Sequence, residues 1–481
     1  MPRSKKIKIT KKNKKFKVNL ICFVLTILAV YFCSYKLHFQ KKLDGSIKVS
    51  SYADSHKSKK TQDAIPKNEL NSIPETTDSQ NKDLRKFPYP YISMLAICSD
   101  IDDTTVEEFK MYHKFLNTKS QTPCGQGLGL DIGDSFWMYM GDNMNSTVDV
   151  HGNGVKSIMT FFNGTSQTEK HNADEITHYI RSGWIDCIHT FGDFSTEDQR
   201  STLFNRNLAE NAWNVLNSAN LKQTVWINHG NKSNRQNFGA HGTANFMSYQ
   251  QGDNPKSPYY HTDITLKNGI KYVWNSWSDY NFGHDYPLYD ISLRDGKRVW
   301  GFYRYTNNLV NNKINWIWTP KYIHSQLTKA NLDGIVNNNQ YSIVAQHFGI
   351  NTEDLFTQDN INSLKLLKEY QDSNKILVAK TSRVLNYANI HKYLTYQKLT
   401  KNGKTYINIT SISDPIFGKC IPEVDNIRGI TFYCDDPKNT VLLINKSKIG
   451  NDNLKVNPKD ETGEGSISVK WFRADYTDYT K

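Results

Sequence analysis

The chain has 481 residues, more than the roughly 250–300 at which a single hydrophobic core stops growing, so more than one domain is expected. Its formal net charge is +13, but residues 1–17 hold nine basic side chains and no acidic one. The remainder keeps 51 of the 60 Lys+Arg residues against 47 Asp+Glu, a balance of +4. This near balance argues against nucleic acid as a partner of the folded part.

The first 88 residues are predicted to form three segments that precede the folded part. Residues 1–17 are a basic cytoplasmic tail, and residues 18–35 are apolar and about long enough to span a bilayer. No small-residue cleavage site follows them, so an uncleaved signal anchor is favoured over a removed signal peptide. Residues 36–88 are polar and read as a flexible stalk. The sequence thus predicts a single-pass membrane protein whose catalytic part is periplasmic, lumenal or extracellular.

The rest of the chain divides into two parts that differ in their pattern of apolar and turn-forming residues. Between residues 89 and 396, short apolar runs typical of buried strands alternate with stretches of helical apolar spacing, such as residues 197–218. Such alternation predicts an α/β domain, either a barrel or a doubly wound sheet. Residues 397–481 contain short β-branched segments between Gly, Asn and Pro turns, which predicts a small all-β domain.

Two clusters of chemically active side chains follow apolar runs in the predicted α/β domain. Asp100, Asp102 and Asp103 follow the first run, and His189 and Asp193 follow the second. Side chains released at the carboxyl ends of buried strands occupy the place where α/β enzymes build active sites. Carboxylates and imidazoles are also ligands for divalent metals. A metal site is therefore expected there.

The two clusters resemble the motifs of the polysaccharide deacetylase family (NodB-homology, carbohydrate esterase 4), in particular its WbmS-like branch. Asp102 and Asp103 resemble the strand-end Asp-Asp of that family. The stretch from His189 to Asp193 resembles its H-[ST]-x-x-H metal motif, with Asp193 in place of the second histidine. The resemblance covers residues 91–395 and implies a distorted (β/α) barrel, followed here by the small all-β domain.

The resemblance also implies roles for individual residues. The metal is expected on Asp103, His189 and Asp193, and is zinc, with cobalt or nickel as alternatives. Asp102 is the expected general base, with Asp100 as a rival because the D-I-D-D spacing leaves the register open. A strand-end histidine late in the domain, His347, is the expected general acid.

An acetylated glycan is the expected substrate. The activity implied is a metal-dependent hydrolysis that removes acetyl groups from amino sugars of a cell-surface polysaccharide. Carboxylates bind hydroxyls and aromatic rings stack on sugar faces, and seven further residues are candidates for a sugar-binding groove: Asp131, Asp134, Trp137, Asn228, His229, Arg294 and Arg298.

Two other functions remain open at this point. Asp100, Asp102 and Thr104 fit the D-x-D-x-T signature of haloacid-dehalogenase-type phosphatases, in which the first aspartate attacks phosphorus. That mechanism has no use for His189. The other alternative is a glycan-binding protein that has lost catalysis, because a ligand position of the metal motif is substituted.

Overall fold

The computed structural model describes residues 65–77, 83–141, 158–196, 198–230, 232–240, 248–277, 279–349 and 356–481. The expected single-pass membrane topology is corrected here: among these residues no helix is long and apolar enough to cross a membrane. The predicted tail and the predicted span, residues 1–17 and 18–35, lie outside the described residues. Part of the predicted stalk is ordered, since Leu70 is buried and residues 76–77 pair with a later strand.

The helices begin where side chains can satisfy their first free backbone amides. Thr105 and Glu108 form a reciprocal capping box at the second helix, and Asn205 and Thr357 cap two others. The helices are α1 Lys67–Leu70, α2 Val106–Asn117, α3 Ala173–Ser182, α4 Arg206–Ser218, α5 Thr262–Lys267, α6 Ile323–Gln326, α7 Lys329–Asn337, α8 Gln358–Asp372 and α9 Thr381–Tyr393.

Most strands before residue 390 are only two to five residues long. They are β1 Thr76–Thr77, β2 Ser93–Ser99, β3 Gln121–Thr122, β4 Gly125–Gln126, β5 Gly133–Asp134, β6 Tyr139–Met140, β7 Gly192–Asp193, β8 Val225–Ile227, β9 Tyr272–Trp274, β10 Leu288–Ser292, β11 Arg298–Phe302, β12 Asn307–Val310, β13 Lys313–Trp316, β14 Tyr341–Gln346 and β15 Ile376–Val378. The later strands are β16 Leu394–Lys401, β17 Lys404–Asp414, β18 Gly418–Cys420, β19 Thr431–Tyr433, β20 Thr440–Ile444, β21 Ser447–Lys448, β22 Leu454–Asn457 and β23 Ser466–Val469.

Two four-stranded sheets carry the residues of interest. In the first, β2 lies between β14 and β15, pairs also with β5, and is parallel to all three. All residues of β2 and β14 are buried, as expected for parallel strands covered on both faces. In the second, parallel strands β8, β9 and β11 are followed by antiparallel β10. Single parallel bridges lie at Asp134–Ile185, Ile188–Trp226 and Tyr305–Val344.

The prediction of a distorted (β/α) barrel of the deacetylase type is wrong. The described strands form several small sheets, and none of them closes into a barrel. The physical reason lies in strand length, because β8, β9 and β15 have three residues each, and β8 and β9 continue into irregular segments that begin with asparagine. Such strands offer few ladder hydrogen bonds, and single bridges take their place between the sheets.

The C-terminal strands form two further sheets. Strands β16, β17, β20 and β21 are joined by β1 and β18 in a six-stranded sheet, and β19, β23 and β22 form a three-stranded one. Their apolar side chains share one buried cluster with β2 and β8, which includes Met94, Ile227, Ile407 and Phe432. Residues 65–481 form one compact unit. The domain boundary between residues 396 and 397 stays a prediction.

Candidate metal centre

Strand pairing gathers the polar side chains at one edge of the first sheet. In the parallel ladder of β2 and β14, Ser99 lies opposite Gln346, so Asp100 and His347 leave neighbouring strands at the same edge. The bridge between Ile188 and Trp226 similarly places His189 beside the end of β8, which leads into His229. Carboxylates and imidazoles that are far apart in the chain therefore converge.

Three of these side chains form what we call the central cluster: Asp102, His189 and His229. The Asp102 Oδ2 atom lies 3.1 Å from His189 Nε2, and Asp102 Oδ1 lies 3.0 Å from His229 Nδ1. The two imidazole nitrogens are themselves 3.0 Å apart. The side chain of His229 is 16% exposed and the other two are buried. One carboxylate and two imidazoles thus present ligand atoms to one point and could hold a metal ion.

Outer hydrogen bonds orient both imidazoles of the central cluster. His189 Nδ1 is 3.2 Å from the backbone oxygen of Ile227, and His229 Nε2 is 3.3 Å from Asp193 Oδ1. An N–H that donates to a carbonyl or a carboxylate leaves the other ring nitrogen with its lone pair facing inward. A carbonyl or carboxylate behind a histidine is the usual arrangement for a metal-binding imidazole.

A second group, the Asp100 group, consists of Asp100, Arg304 and His347 and adjoins the central cluster. The Arg304 guanidinium donates to both Asp100 oxygens, at 2.7 and 2.8 Å, and packs 3.9 Å from the centroid of the Trp274 ring. His347 Nε2 lies 3.1 Å from Asp100 Oδ2, and His347 Nδ1 lies 3.2 Å from Asp102 Oδ2. His347 therefore bridges the two carboxylates.

Two buried atoms at the meeting point of the groups lack a hydrogen-bond partner within the described part of the chain. They are Asp102 Oδ2 and His347 Nδ1. The two atoms are 3.2 Å apart but are not aligned for a hydrogen bond. Buried polar atoms almost always have a partner, so an unpaired carboxylate oxygen among imidazole nitrogens is where a bound cation fits.

The pKa values around the central cluster indicate a site that attracts positive charge. Burial lowers the pKa of His229, but Asp102 and Asp193 outweigh it and raise that pKa well above its ordinary value. Burial raises the pKa of Asp102, but His229, His189 and His347 outweigh it and hold that pKa well below normal. These carboxylates stabilise a proton on His229, and a divalent cation would meet the same field.

Asp103 lies beside the central cluster with an unusual electrostatic and backbone environment. Burial, together with the neighbouring carboxylates of Asp102 and Asp193, raises the pKa of Asp103 to about 6. Its backbone has φ +56°, and Thr190, which follows His189, has φ +54°. Left-handed backbone is uncommon for a non-glycine residue and is a genuine outlier for a β-branched one, and such positions concentrate at functional sites.

Most of the residues predicted as catalytic or metal-binding lie together here, but the groups they form differ from the predicted ones. Asp100, Asp102, His189 and His347 belong to the two groups, and Asp193 contacts the far side of His229. Asp103 is not among the ligand atoms that converge, although it lies close enough to affect their charge.

The residues predicted to bind sugar divide between this site and other places. His229 belongs to the central cluster, and the Trp137 ring stacks on His189 with centroids 5.8 Å apart. Asn228 is buried next to His229 and donates to the Phe238 carbonyl oxygen, 2.9 Å away. Asp134 is buried and accepts a hydrogen bond from the Tyr112 hydroxyl.

The other three lie away from the two groups. Arg294 pairs with Asp253, and Arg298 pairs with Asp290 across the β10–β11 hairpin. Asp131 pairs with Arg383 and lines a separate cavity of about 830 Å³, which also includes Tyr91, Asn374 and Trp471.

Sequence reasoning missed Arg304 and Trp318, and it did not place His229 among the ligands. Arg304 follows an apolar strand and is 1% exposed, so a charged residue directly after a buried run was the available signal. Trp318 contacts the His347 ring, with centroids 4.3 Å apart. It lies in a segment rich in tryptophan and asparagine that has no strand-end pattern.

Comparisons with known proteins do not assign the chain to a family. No protein-family model and no curated protein matches the chain. Among solved structures, a bacterial fucosidase with a monovalent iminocyclitol inhibitor aligns with 82% of this chain and 96% of its own, at 10% identity and a TM-score of 0.22. A likeness at that level carries no argument about fold or function.

Proposed function

We propose that the protein is a metal-dependent hydrolase that removes acetyl groups from amino sugars of a glycan, the cell-surface polysaccharide that its motifs imply. The observation that carries the proposal is the convergence of the Asp102 carboxylate with the inward nitrogens of His189 and His229. His347 faces the same carboxylate from the neighbouring strand. A ligand set beside a proton-transfer group is what metal-assisted hydrolysis needs.

In this proposal the metal is held by Asp102, His189 and His229, and not by the predicted set of Asp103, His189 and Asp193. Asp193 then serves as the carboxylate that orients His229. Two imidazoles and one carboxylate suit zinc, with cobalt or nickel as alternatives. A divalent metal at such a site polarises a carbonyl oxygen and acidifies water.

His347 is the proposed proton-transfer group. Its Nε2–H faces Asp100 Oδ2, and this contact fixes the tautomer that presents Nδ1 toward Asp102. In that state Nδ1 accepts a proton, and the protonated ring can return it to the departing amine. Asp100 is thereby a positioning carboxylate, itself held by Arg304.

The phosphatase alternative is disfavoured by the Asp100 group. A nucleophilic aspartate needs a free oxygen aimed at phosphorus, whereas both Asp100 oxygens accept hydrogen bonds from Arg304. Asp100 is also only 2% exposed. The acetamide as the target bond rests on the resemblance of the Asp102 and His189 motifs to the deacetylase family.

The test is metal content and acetate release for the purified full chain. We expect about one zinc per chain and metal-dependent release of acetate from N-acetylglucosamine oligomers. His189→Ala should lose both. His284→Ala is the matched control, because His284 also contacts an aspartate, Asp279 at 2.9 Å, but lies at the other end of β14.

Each failure points to a different conclusion. Bound oligosaccharide without acetate release, in the presence of zinc, would favour a binding protein. Magnesium-dependent phosphate release that is abolished by Asp100→Asn would favour the phosphatase. Full metal content in His189→Ala would show that the central cluster is not the metal site.

A further inference from the structure

The β12–β13 hairpin exposes an unusual number of large apolar side chains. Leu309 is 45% exposed, Val310 and Ile314 are each 48% exposed, and Trp316 is 43% exposed. Scattered apolar residues on a surface need no explanation, but a contiguous set marks a binding surface. A binding surface therefore requires that these side chains adjoin one another.

The pairing register of β12 and β13 shows which of these apolar side chains adjoin one another. In the antiparallel ladder, Leu309 lies opposite Ile314 and Val310 lies opposite Lys313. Directly opposite residues share a face and successive residues alternate. Leu309, Ile314 and Trp316 therefore occupy one face of the hairpin, and Val310 and Lys313 occupy the other. The apolar set has one face and a defined edge.

This apolar face continues to the proposed active site. The Ile317 amide donates to the Thr306 carbonyl oxygen at 3.0 Å, so the strand pairing runs one residue beyond β13. Ile317 is buried, whereas Trp316 is exposed and Trp318 is half-buried, so Trp316 and Trp318 lie on the same side of the chain, opposite Ile317. The Trp318 ring packs on His347. Leu309, Ile314, Trp316 and Trp318, which we call the hairpin strip, thus lead from the tip of the hairpin to the proton-transfer group.

We infer that the hairpin strip binds the sugar residues that flank the acetylated sugar at the metal centre. The inference rests on the proposed function and assigns to the hairpin strip the part of the polymeric substrate that lies outside the metal centre. Tryptophan rings stack well on the C–H faces of pyranose rings because they are broad and rigid and pair an apolar body with a polar edge. Two tryptophans in line match successive rings of one chain, and Leu309 and Ile314 suit the acetyl methyl groups of further residues.

The experiment compares two substrates for the zinc-loaded full chain: N-acetylglucosamine and its β-1,4-linked tetramer. We expect kcat/KM to be at least about tenfold higher for the tetramer, a factor that corresponds to one well-stacked ring. Trp316→Ala should lower kcat/KM for the tetramer about tenfold, mainly through KM, and leave the monomer unchanged. Val310→Ala should change neither value, because Val310 has a similar exposure but lies on the opposite face of the hairpin.

A second variant and a direct binding measurement keep the test decisive. Ile314→Ser should reproduce the Trp316→Ala effect in part, and thermal unfolding confirms that both variants fold. Equal kcat/KM for monomer and tetramer, or equal effects of Trp316→Ala and Val310→Ala, would overturn the inference. Trp316-dependent binding to phosphatidylglycerol vesicles, with no preference for the tetramer, would overturn it in favour of a lipid surface. If no substrate releases acetate, but calorimetry shows that tetramer binding is lost in Trp316→Ala, the hairpin strip is supported as a sugar-binding surface and the proposed reaction is wrong.

Discussion

The two groups that meet at Asp102 contain similar side chains and differ in what balances their charge. The central cluster has one carboxylate and two imidazoles, with an unpaired Asp102 oxygen at its centre. Asp100 and His347 of the Asp100 group, together with Asp102, also place two carboxylates and an imidazole at ligand distance. There, however, the Arg304 guanidinium already occupies both Asp100 oxygens.

This difference decides which group is suited to a metal. A metal cation is favoured where buried carboxylates face imidazoles, whose protons a metal can displace, and disfavoured where a buried arginine, which does not give up its proton, already supplies the positive charge. The types of side chain and the distances between them would allow a metal in either group. In the proposed function, the partner of each carboxylate therefore separates the proposed ligand, Asp102, from the proposed positioning residue, Asp100.

The largest expected effect comes from exchanging the two carboxylates for amides. Asp102→Asn should abolish stoichiometric zinc binding, with affinity reduced by more than the roughly 100-fold typical of outer-sphere changes. Asp100→Asn should keep one zinc per chain and lose activity and stability instead. Metal content after dialysis and competitive chelator titration measure both. Equal loss of zinc in the two variants would erase the distinction between the groups.

Removing Arg304 should destabilise the fold strongly. Arg304→Met leaves the Asp100 carboxylate buried without its partner, which typically costs about 3–5 kcal/mol in the free energy of unfolding. The matched control is Arg298→Met, because Arg298 pairs with Asp290 on the surface, 43% exposed, and should change stability little. Urea unfolding gives both values. A stability loss no greater in Arg304→Met than in the control would mean that Arg304 does not compensate Asp100.

A smaller effect is expected from the carboxylate behind His229. Asp193→Asn keeps the side-chain shape but weakens the acceptor of His229 Nε2–H, so zinc affinity should fall about 10- to 100-fold. Asp198→Asn serves as the control, because Asp198 is exposed and pairs with Arg200. Chelator competition measures the affinities. If Asp193→Asn abolishes binding as completely as Asp102→Asn does, Asp193 is itself a ligand.

Sequence patterns predicted which polar side chains lie together better than they predicted the fold around them. The apolar runs before Asp100 and His347 are β2 and β14, and parallel pairing brings their ends together, as strand-end reasoning expects. The sequence predicts His229 only as a sugar-binding residue, because its place beside His189 depends on the single bridge between Ile188 and Trp226, which no local pattern encodes. Barrel closure failed for a related reason, since strand length, and not strand order, limits these sheets.

The most direct test of the central claim is X-ray absorption spectroscopy at the zinc edge on the zinc-loaded full chain. We predict two imidazole nitrogens at about 2.0–2.1 Å together with carboxylate oxygen, and the loss of one imidazole signal in His229→Ala. A zinc environment with one imidazole that His229→Ala leaves unchanged would contradict the assignment of Asp102, His189 and His229 as the metal site.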